Sequence, residues 1–358
     1  MRFEELVRPA WECVTVSFRR DGLRGSLRED APFDIMLGRT ENGRYWRRGV
    51  ALLSGAVRLF RRREALKGAE IVVVGSPEMV PIGAGVYALL GFRATPVYQV
   101  VDVPDVMWQR KTLFGVAGRM LEKGWLRRSA LVIMSSPAFI EHIGSRQGYS
   151  GKTLVLENKP MRIEVGNPRV LPRPIEGPPW QVGYFGAIRC RRSVETLLDM
   201  ARRCRGAVQV KIAGYPTFCS QAELADIVDR VAECSYVGPF DAVREAYDVL
   251  YGASHFVWAV DWYDADGNSR VLLPNRIYYA AAYGCPVIAE QGTATGKWVE
   301  DKSAGVVLQS LSPASLAKWF LSLSHALYAD LRRDAAMLPH SVWQGESDRK
   351  ALIEALRS

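Results

Sequence analysis

The chain has 358 residues, 48% of them apolar, with 31 Gly and 19 Pro: a globular composition, long enough for two hydrophobic cores. Its 6 cysteines form no C-x-x-C pair, which argues against a zinc site or redox dithiol and for free thiols, and no run of about 20 apolar residues is present to cross a bilayer. The net charge of +9 is carried by the first half, since residues 1–160 hold 25 Lys and Arg against 16 Asp and Glu while residues 161–358 hold 22 of each, so an anionic partner is expected for the N-terminal part.

The start, Met1-Arg-Phe-Glu-Glu, lacks the apolar core of a signal peptide, which places the expected protein in the cytosol or on a membrane face. Strand-like runs then alternate with helical patterns, the signature of parallel sheets joined by crossover helices. Trp46, Val50, Leu53, Val57 and Phe60 recur at helical spacing, with Arg44, Arg47, Arg48, Arg58, Arg61, Arg62 and Arg63 at the ends and flanks. Such a helix packs on a core with solvated ends, or lays its basic rim on an anionic membrane. Strands are expected at Glu70–Gly75, Pro96–Val101 and Ala130–Met134. The first runs into Ser76-Pro-Glu-Met79, where Glu78 is a lower-ranked candidate base; the second ends in Gln99-Val-Val-Asp-Val-Pro-Asp105. Carboxylates at the C-terminal edge of a parallel sheet suit proton abstraction, so Asp102 and then Asp105 are the candidate catalytic residues, against the plainer reading as helix caps. Leu113, Val116, Met120 and Leu121 repeat the basic amphipathic pattern between Arg110, Lys111 and Arg119, Lys123, Arg127, Arg128. Trp46, Arg47, Arg48, Phe60, Arg61, Arg62, Trp108, Arg110 and Lys111 are the candidate membrane and acceptor residues.

Pro160, Pro168, Pro172, Pro174, Pro178 and Pro179 interrupt the rhythm, and residues 158–179 read as a linker between a domain at 1–157 and a second at 180–340, with a terminal helix at 341–358 expected to pack back on the first. The second domain opens on the strand Gln181-Val-Gly-Tyr-Phe-Gly186 and turns through Arg189, Arg191 and Arg192 towards a helix capped by Ser193, a place where a phosphate approaches backbone closely. The strand Val208–Ala213, a helix at Gln221–Ala232, a strand at Ser235–Val237, a helix at Asp241–Tyr251 and the strand His255–Val260 follow. Asp261-Trp-Tyr-Asp-Ala-Asp-Gly-Asn-Ser269 offers carboxylates as hydrogen-bond acceptors, with Asn268 and Ser269 as neutral partners, or is a solvated acidic turn. As a calcium loop it fails, because Asn275 stands where the bidentate Glu belongs; no metal is expected. Leu273-Pro-Asn-Arg-Ile-Tyr-Tyr-Ala-Ala-Ala-Tyr-Gly-Cys-Pro-Val-Ile-Ala289 reads as a helix opened by Pro274 and left through Gly284 into a buried strand, with free amides and Arg276 at an anion-attracting start. A strand at Gly305–Leu308 and helices from Pro313 complete the domain.

Gly186-Ala-Ile-Arg, Ile212-Ala-Gly-Tyr-Pro216, Tyr236-Val-Gly-Pro-Phe240 and Asn275–Ala289 with Gly292-Thr occur in the order seen in the C-terminal domain of GT-B glycosyltransferases. Over about residues 180–310 the chain resembles the bacterial exopolysaccharide enzymes related to glycosyltransferase family 4; over 1–150 the resemblance is much weaker. It implies an α/β GT-B fold of two Rossmann-like domains with a cleft, a nucleotide-sugar pocket in the second domain, diphosphate near Gly186 and Arg189, and base near Val237 and Pro239; Arg192 joins the expected donor set from its place in the arginine-rich turn. Tyr215, Asp261, Asn268, Ser269, Asn275, Arg276 and Tyr279 complete the expected donor set. One departure is plain. Retaining members carry two glutamates separated by seven residues, and those positions are Val271 and Tyr279 here, so the usual carboxylate contact to ribose or donor sugar is missing.

The expectation is transfer of a sugar from a nucleotide diphosphate donor, UDP favoured, to a lipid-diphosphate-linked saccharide in surface polysaccharide synthesis, without cofactor or metal, with inversion, on the inner face of the plasma membrane. A GT-B-like sugar-nucleotide epimerase is the alternative enzyme. A non-enzymatic basic nucleic-acid-binding or regulatory protein is the third reading, disfavoured because the charge clusters with apolar helical faces rather than with base-stacking aromatics.

Overall fold

The structure is a computed structural model that describes residues 2–21, 35–41, 45–101, 113–165, 177–241, 243–264 and 267–358, with backbone alone at 2, 19–21, 40–41, 45–50, 113–114, 142 and 145–146. Two compact units divide the chain, one of residues 3–157 with 348–358 and one of residues 158–347.

The first unit begins with α1 (Arg2–Val7) and a parallel strand pair, β1 (Val16–Asp21) and β2 (Ile35–Glu41), which the sequence pattern did not announce. Helix α2 (Tyr45–Arg61) lies on this pair. Gly55 makes the close approach possible, since a Cβ there would stand 2.8 Å from the Phe18 ring and 3.2 Å from Leu37. Leu59 is buried beside it, and Arg58 Nη1 donates to Leu37 O at 3.0 Å. Three residues of the periodic stripe therefore face outward: Leu53 is 73% exposed, and Val57 and Phe60 54% each, so the core-packed reading fails for these residues.

A four-stranded parallel sheet follows, in the order β3 (Ile71–Val74), β4 (Thr95–Val100), β5 (Leu131–Met134), β6 (Thr153–Val155). Leu131 to Met134 are all buried, as a strand covered on both faces requires. The crossovers are α3 (Val80–Leu89), α4 (Leu113–Leu126) and α5 (Ala138–Gln147), and α3 touches both α2 and α4. Under them lies a buried polar knot: Tyr98 Oη donates to Glu122 Oε1 at 2.6 Å, and Gln147 Nε2 donates to Oε2 at 2.8 Å.

The second unit opens with α6 (Arg162–Val165), inside the stretch read as a linker. Its sheet is six parallel strands in the order β12-β11-β10-β7-β8-β9. The chain runs β7 (Trp180–Ile188), α7 (Arg191–Cys204), β8 (Val208–Pro216), α8 (Gln221–Val228), β9 (Cys234–Tyr236) and α9 (Arg244–Tyr251). It continues through β10 (Phe256–Trp258), α10 (Asn268–Val271), α11 (Arg276–Ala282), β11 (Val287–Glu290), α12 (Ala294–Lys302) and β12 (Gly305–Leu308). Alternate side chains enter two cores. Trp180, Val182, Tyr184, Phe256 and Trp258 pack with α7, α8, α13 (Pro313–Ser322) and α14 (His325–Ala336); Phe185, Val257, Val287 and Ala289 pack with α9, α11 and α12. The short α15 (His340–Trp343) buries Trp343 in the second core. The last helix, α16 (Arg349–Arg357), belongs to the first unit, where Ala355 O accepts from Lys152 Nζ at 3.0 Å.

One local expectation is corrected. Helix α7 starts two residues before Ser193, and its cap is Cys190, whose Sγ accepts from Ser193 N at 3.3 Å. Ser193 is instead buried and donates to Val260 O at 3.2 Å, tying the start of α7 to the end of β10.

Burial pushes the Glu122 carboxyl above the usual range, against the lowering by its bonds from Tyr98 and Gln147. A carboxyl whose folded pKa is raised stabilises the fold most while protonated, and that contribution is lost as pH rises from the unfolded value through the folded one. Glu122→Gln should therefore lose less melting temperature than wild type between about pH 5 and pH 8 by calorimetry. An identical pH dependence in the two proteins would remove Glu122 as its source.

Candidate functional site

The order of the second sheet reverses between β7 and β10, and ligands of open α/β sheets bind outside the carboxyl ends of strands at such a point. The residues there explain why. Gly186 has φ +103° and nothing within 4 Å of where a Cβ would stand, so the end of β7 faces open space. Opposite it, Gly214 of β8 has φ +134°, and a Cβ there would lie 1.7 Å from Gly186 O. Neither position tolerates a side chain, the first for its backbone and the second for contact as well.

Arg276 fills the seam from below. It is only 8% exposed, its Nη1 donates to Trp258 O and its Nη2 to Ala187 O at 3.4 Å each, and its guanidinium carbon lies 4.6 Å from the Tyr184 ring centre. Two carbonyls at long range and a ring face hold the charge, and no carboxylate among the described residues forms an ion pair with it. A buried cation so compensated favours an arriving anion. Burial raises the Tyr184 phenol, although nearby Arg276 lowers it, so the ring sits under the guanidinium in its neutral form. The amides of α11 are engaged otherwise than expected: Ile277 N donates to Pro274 O and Tyr278 N to Asn275 O, at 3.1 Å each. Two amides of the helix start are therefore paired, and the positive charge of this segment is the Arg276 side chain.

The second cation is Arg189, directly after β7. Its Nε donates to Asp261 Oδ2 at 2.5 Å; the Asp261 side chain is 5% exposed and that of Arg189 29%. Asp261 Oδ1 also accepts from Tyr263 N at 2.9 Å. Asp261, a residue of the expected donor set, bonds to the guanidinium and holds Arg189 beside the β7 end. Arg192 lies with its guanidinium 4.1 Å from the Trp262 ring centre, and Trp262 Nε1 donates to Glu290 Oε2 at 2.8 Å. Asp264 is likewise committed within its loop, accepting from Asn268 N at 2.7 Å, while Ser269 is buried and its Oγ accepts from Asp264 N at 3.1 Å. Ser269 Oγ thus braces the loop.

Around α11 the site changes from cationic to aromatic. Tyr279 stacks on Tyr247 with ring centres 4.2 Å apart, and their hydroxyls are 3.1 Å apart. Tyr279 Oη donates to Glu164 Oε1 at 3.3 Å. Asn275 Oδ1 accepts from Asn158 Nδ2 at 2.8 Å. Val237 is 53% exposed in the loop after β9, where Gly238 O accepts from Gly214 N at 2.9 Å, and Pro239 follows half-buried; Tyr215 is half-buried at the end of β8. Tyr184, Tyr247, Trp262 and Glu164 were not singled out in the sequence: Tyr184 and Trp262 lie inside segments chosen for other residues, Tyr247 in an expected helix, and Glu164 in the proline-rich stretch.

In the first unit, Asp102, Asp105, Trp108, Arg110 and Lys111 lie outside the described residues, and Trp46, Arg47 and Arg48 are described by backbone alone. Phe60, Arg61 and Arg62 are exposed at the end of α2, and Glu78 is half-buried after β3. No helix among the described residues is long and apolar enough to cross a membrane.

No protein-family profile matches the chain. The succinoglycan biosynthesis protein ExoL of Rhizobium meliloti (strain 1021) is 30% identical over 374 residues, spanning 99% of this chain and 91% of the relative. Among solved structures, the sucrose-phosphate synthase tll1590 from Thermosynechococcus elongatus matches with a TM-score of 0.73 at 18% identity, over 99% of this chain and 91% of that one. Anabaena Alr3699/HepE in complex with UDP and glucose matches with a TM-score of 0.65 at 15% identity, over 89% of this chain and 85% of that one. At such identities the structural likeness establishes the fold, which is GT-B.

With UDP as a diphosphate probe, Arg189→Ala should weaken binding about tenfold by isothermal titration. Asp261→Ala should weaken it less, and the double variant should bind no worse than Arg189→Ala, because Asp261 acts by holding Arg189. Additive losses would show that Asp261 meets the ligand itself.

Proposed function

This chain belongs to the ExoL family of GT-B exopolysaccharide glycosyltransferases, and from that premise we propose that it moves a sugar from a UDP-sugar to a lipid-diphosphate-linked saccharide on the inner face of the plasma membrane. The observation that carries the donor reading is Arg276, a buried guanidinium without a carboxylate partner among the described residues, at the sheet edge where Gly186 leaves open space. HepE, solved with UDP and glucose, supports UDP as the nucleotide, and the part ExoL takes in succinoglycan biosynthesis supports a growing saccharide as acceptor.

The chemistry asks for two things. The acceptor hydroxyl oxygen bonds to the anomeric carbon while the bond from that carbon to the diphosphate oxygen breaks, and the leaving diphosphate keeps the electron pair. Arg276 and Arg189 neutralise that growing charge without a metal. The hydroxyl proton goes to a carboxylate, for which Asp102 is proposed and Asp105 ranks second; one displacement inverts the anomeric centre.

The membrane reading rests on α2 and α4. Leu53, Val57 and Phe60 stand exposed with Arg61, Arg62 and Arg63 at the helix end, and Val116, Met120 and Leu121 stand exposed on α4 with Arg127 and Arg128 beyond. Apolar side chains rimmed by arginine suit an anionic lipid surface, where each cation contributes about 1 kcal/mol.

Titration calorimetry should find UDP and one UDP-sugar bound, and Asp102→Asn should abolish transfer while keeping donor binding. Absence of any nucleotide diphosphate binding would overturn the donor reading, and full turnover by Asp102→Asn would remove it as base. Separately, a Leu53→Ser/Phe60→Ser variant should partition onto vesicles of phosphatidylglycerol and phosphatidylcholine about tenfold more weakly than wild type, from the apolar area lost. Equal partitioning would dismiss α2 as the contact.

A further inference from the structure

We propose that Glu164 accepts the ribose hydroxyls of the donor nucleotide, making the site selective for ribonucleoside over 2′-deoxyribonucleoside diphosphates. The inference rests on the donor reading above and adds a residue and a substrate class to it.

Its starting point is a carboxylate brought to α11 from a distant part of the chain. Residues 158–165 are fastened to the second unit: Asn158 Nδ2 donates to Asn275 Oδ1 at 2.8 Å, Lys159 Nζ to Ser341 O at 2.8 Å, and Gly345 N to Pro160 O at 2.9 Å. Val165 is fully buried in the core beneath α11. Within that frame Glu164 Oε2 accepts from Met161 N at 2.6 Å and Oε1 accepts from Tyr279 Oη at 3.3 Å. The carboxylate is thus aimed at the first turns of α11 while staying only half-buried.

Position then decides its use. Tyr279 follows Arg276 by three residues on the same helix, a rise of about 4.5 Å. In a nucleoside diphosphate, one methylene separates the ribose ring from the first phosphate, so a diphosphate held at Arg276 leaves its ribose within about one helical turn. The 2′ and 3′ hydroxyls are adjacent donors, and a carboxylate is the side chain that accepts from such a pair. Among the described residues, Asp261 bonds to Arg189, Asp264 to Asn268 N and Glu290 to Trp262, whereas Glu164 bonds to Tyr279 of α11. Tyr247, stacked on Tyr279, and Phe240, 5.8 Å from Tyr247 between ring centres, line the same end of the site with aromatic surface.

The test compares UDP with 2′-deoxy-UDP by calorimetry on the full chain. Wild type should bind UDP about tenfold more tightly, the worth of one charge-assisted hydrogen bond. Glu164→Ala should bind the two nucleotides equally, and more weakly than wild type binds 2′-deoxy-UDP, because the bond to the 3′ hydroxyl is lost as well. Tyr279→Phe, which removes only the hydroxyl that orients Glu164, should narrow the difference, and it serves as the second variant should Glu164→Ala fold poorly. Equal affinities in wild type, or discrimination undiminished in both variants, would overturn the assignment of Glu164. A wild type that binds neither nucleotide would instead overturn the donor reading on which it rests.

Discussion

A permanent positive charge placed where water hardly reaches organises the second unit. Arg276 is more than nine-tenths buried, and the guanidinium cannot shed its proton to escape the cost of desolvation. The surroundings answer that cost only in part. Ala187 and Trp258, at the ends of β7 and β10, turn carbonyls towards it, and Tyr184 offers a ring face. Because the two carbonyls belong to the two strands that flank the reversal of sheet order, the same contact that compensates the charge also clamps the switch point. No carboxylate among the described residues pairs with the guanidinium, and that is the ground on which it is proposed to receive a diphosphate.

The neighbouring residues are arranged to keep that position open and charged. Gly186 and Gly214 bring the β7 and β8 ends together without side chains in the way. Asp261 is spent on orienting Arg189, so the cation nearer solvent is held while the buried one waits. Asp264 is engaged locally as well, accepting from the backbone amide of Asn268. The departure at Tyr279 fits the same electrostatic logic. A carboxylate at a position only 4% exposed would be costly, whereas a tyrosine stacks on Tyr247 and passes a hydrogen bond to Glu164, which stays partly in water.

Sequence periodicity reached the α/β class and the strands of the second sheet, because buried parallel strands such as Val287–Glu290 and Gly305–Leu308 carry unbroken apolar runs bounded by turn residues. It located Arg276 and Arg189 through local motifs. It missed β1 and β2, whose residues include Arg19, Arg20 and Glu41 and so lack an apolar run. It misassigned the cap of α7, since a cysteine sulfur is an unusual acceptor and a serine stood three residues on. The partners of Asp261 and Ser269 were illegible for a different reason: which group a polar side chain meets depends on where the segments after β10 and at α10 aim it. Glu164 was invisible because its partner Tyr279 is 115 residues away. The stripe on α2 was legible as amphipathic, but which side faced solvent was set by Gly55 and Leu59 against β2.

The central claim, that the buried guanidinium of Arg276 is the seat of the donor diphosphate, is tested most directly by a crystal structure of this chain with UDP. The account predicts phosphate oxygens within hydrogen-bonding distance of the Arg276 and Arg189 side chains, over the open space at Gly186. A diphosphate bound elsewhere on the second unit, with Arg276 still held only by Ala187 O, Trp258 O and the Tyr184 ring, would contradict it.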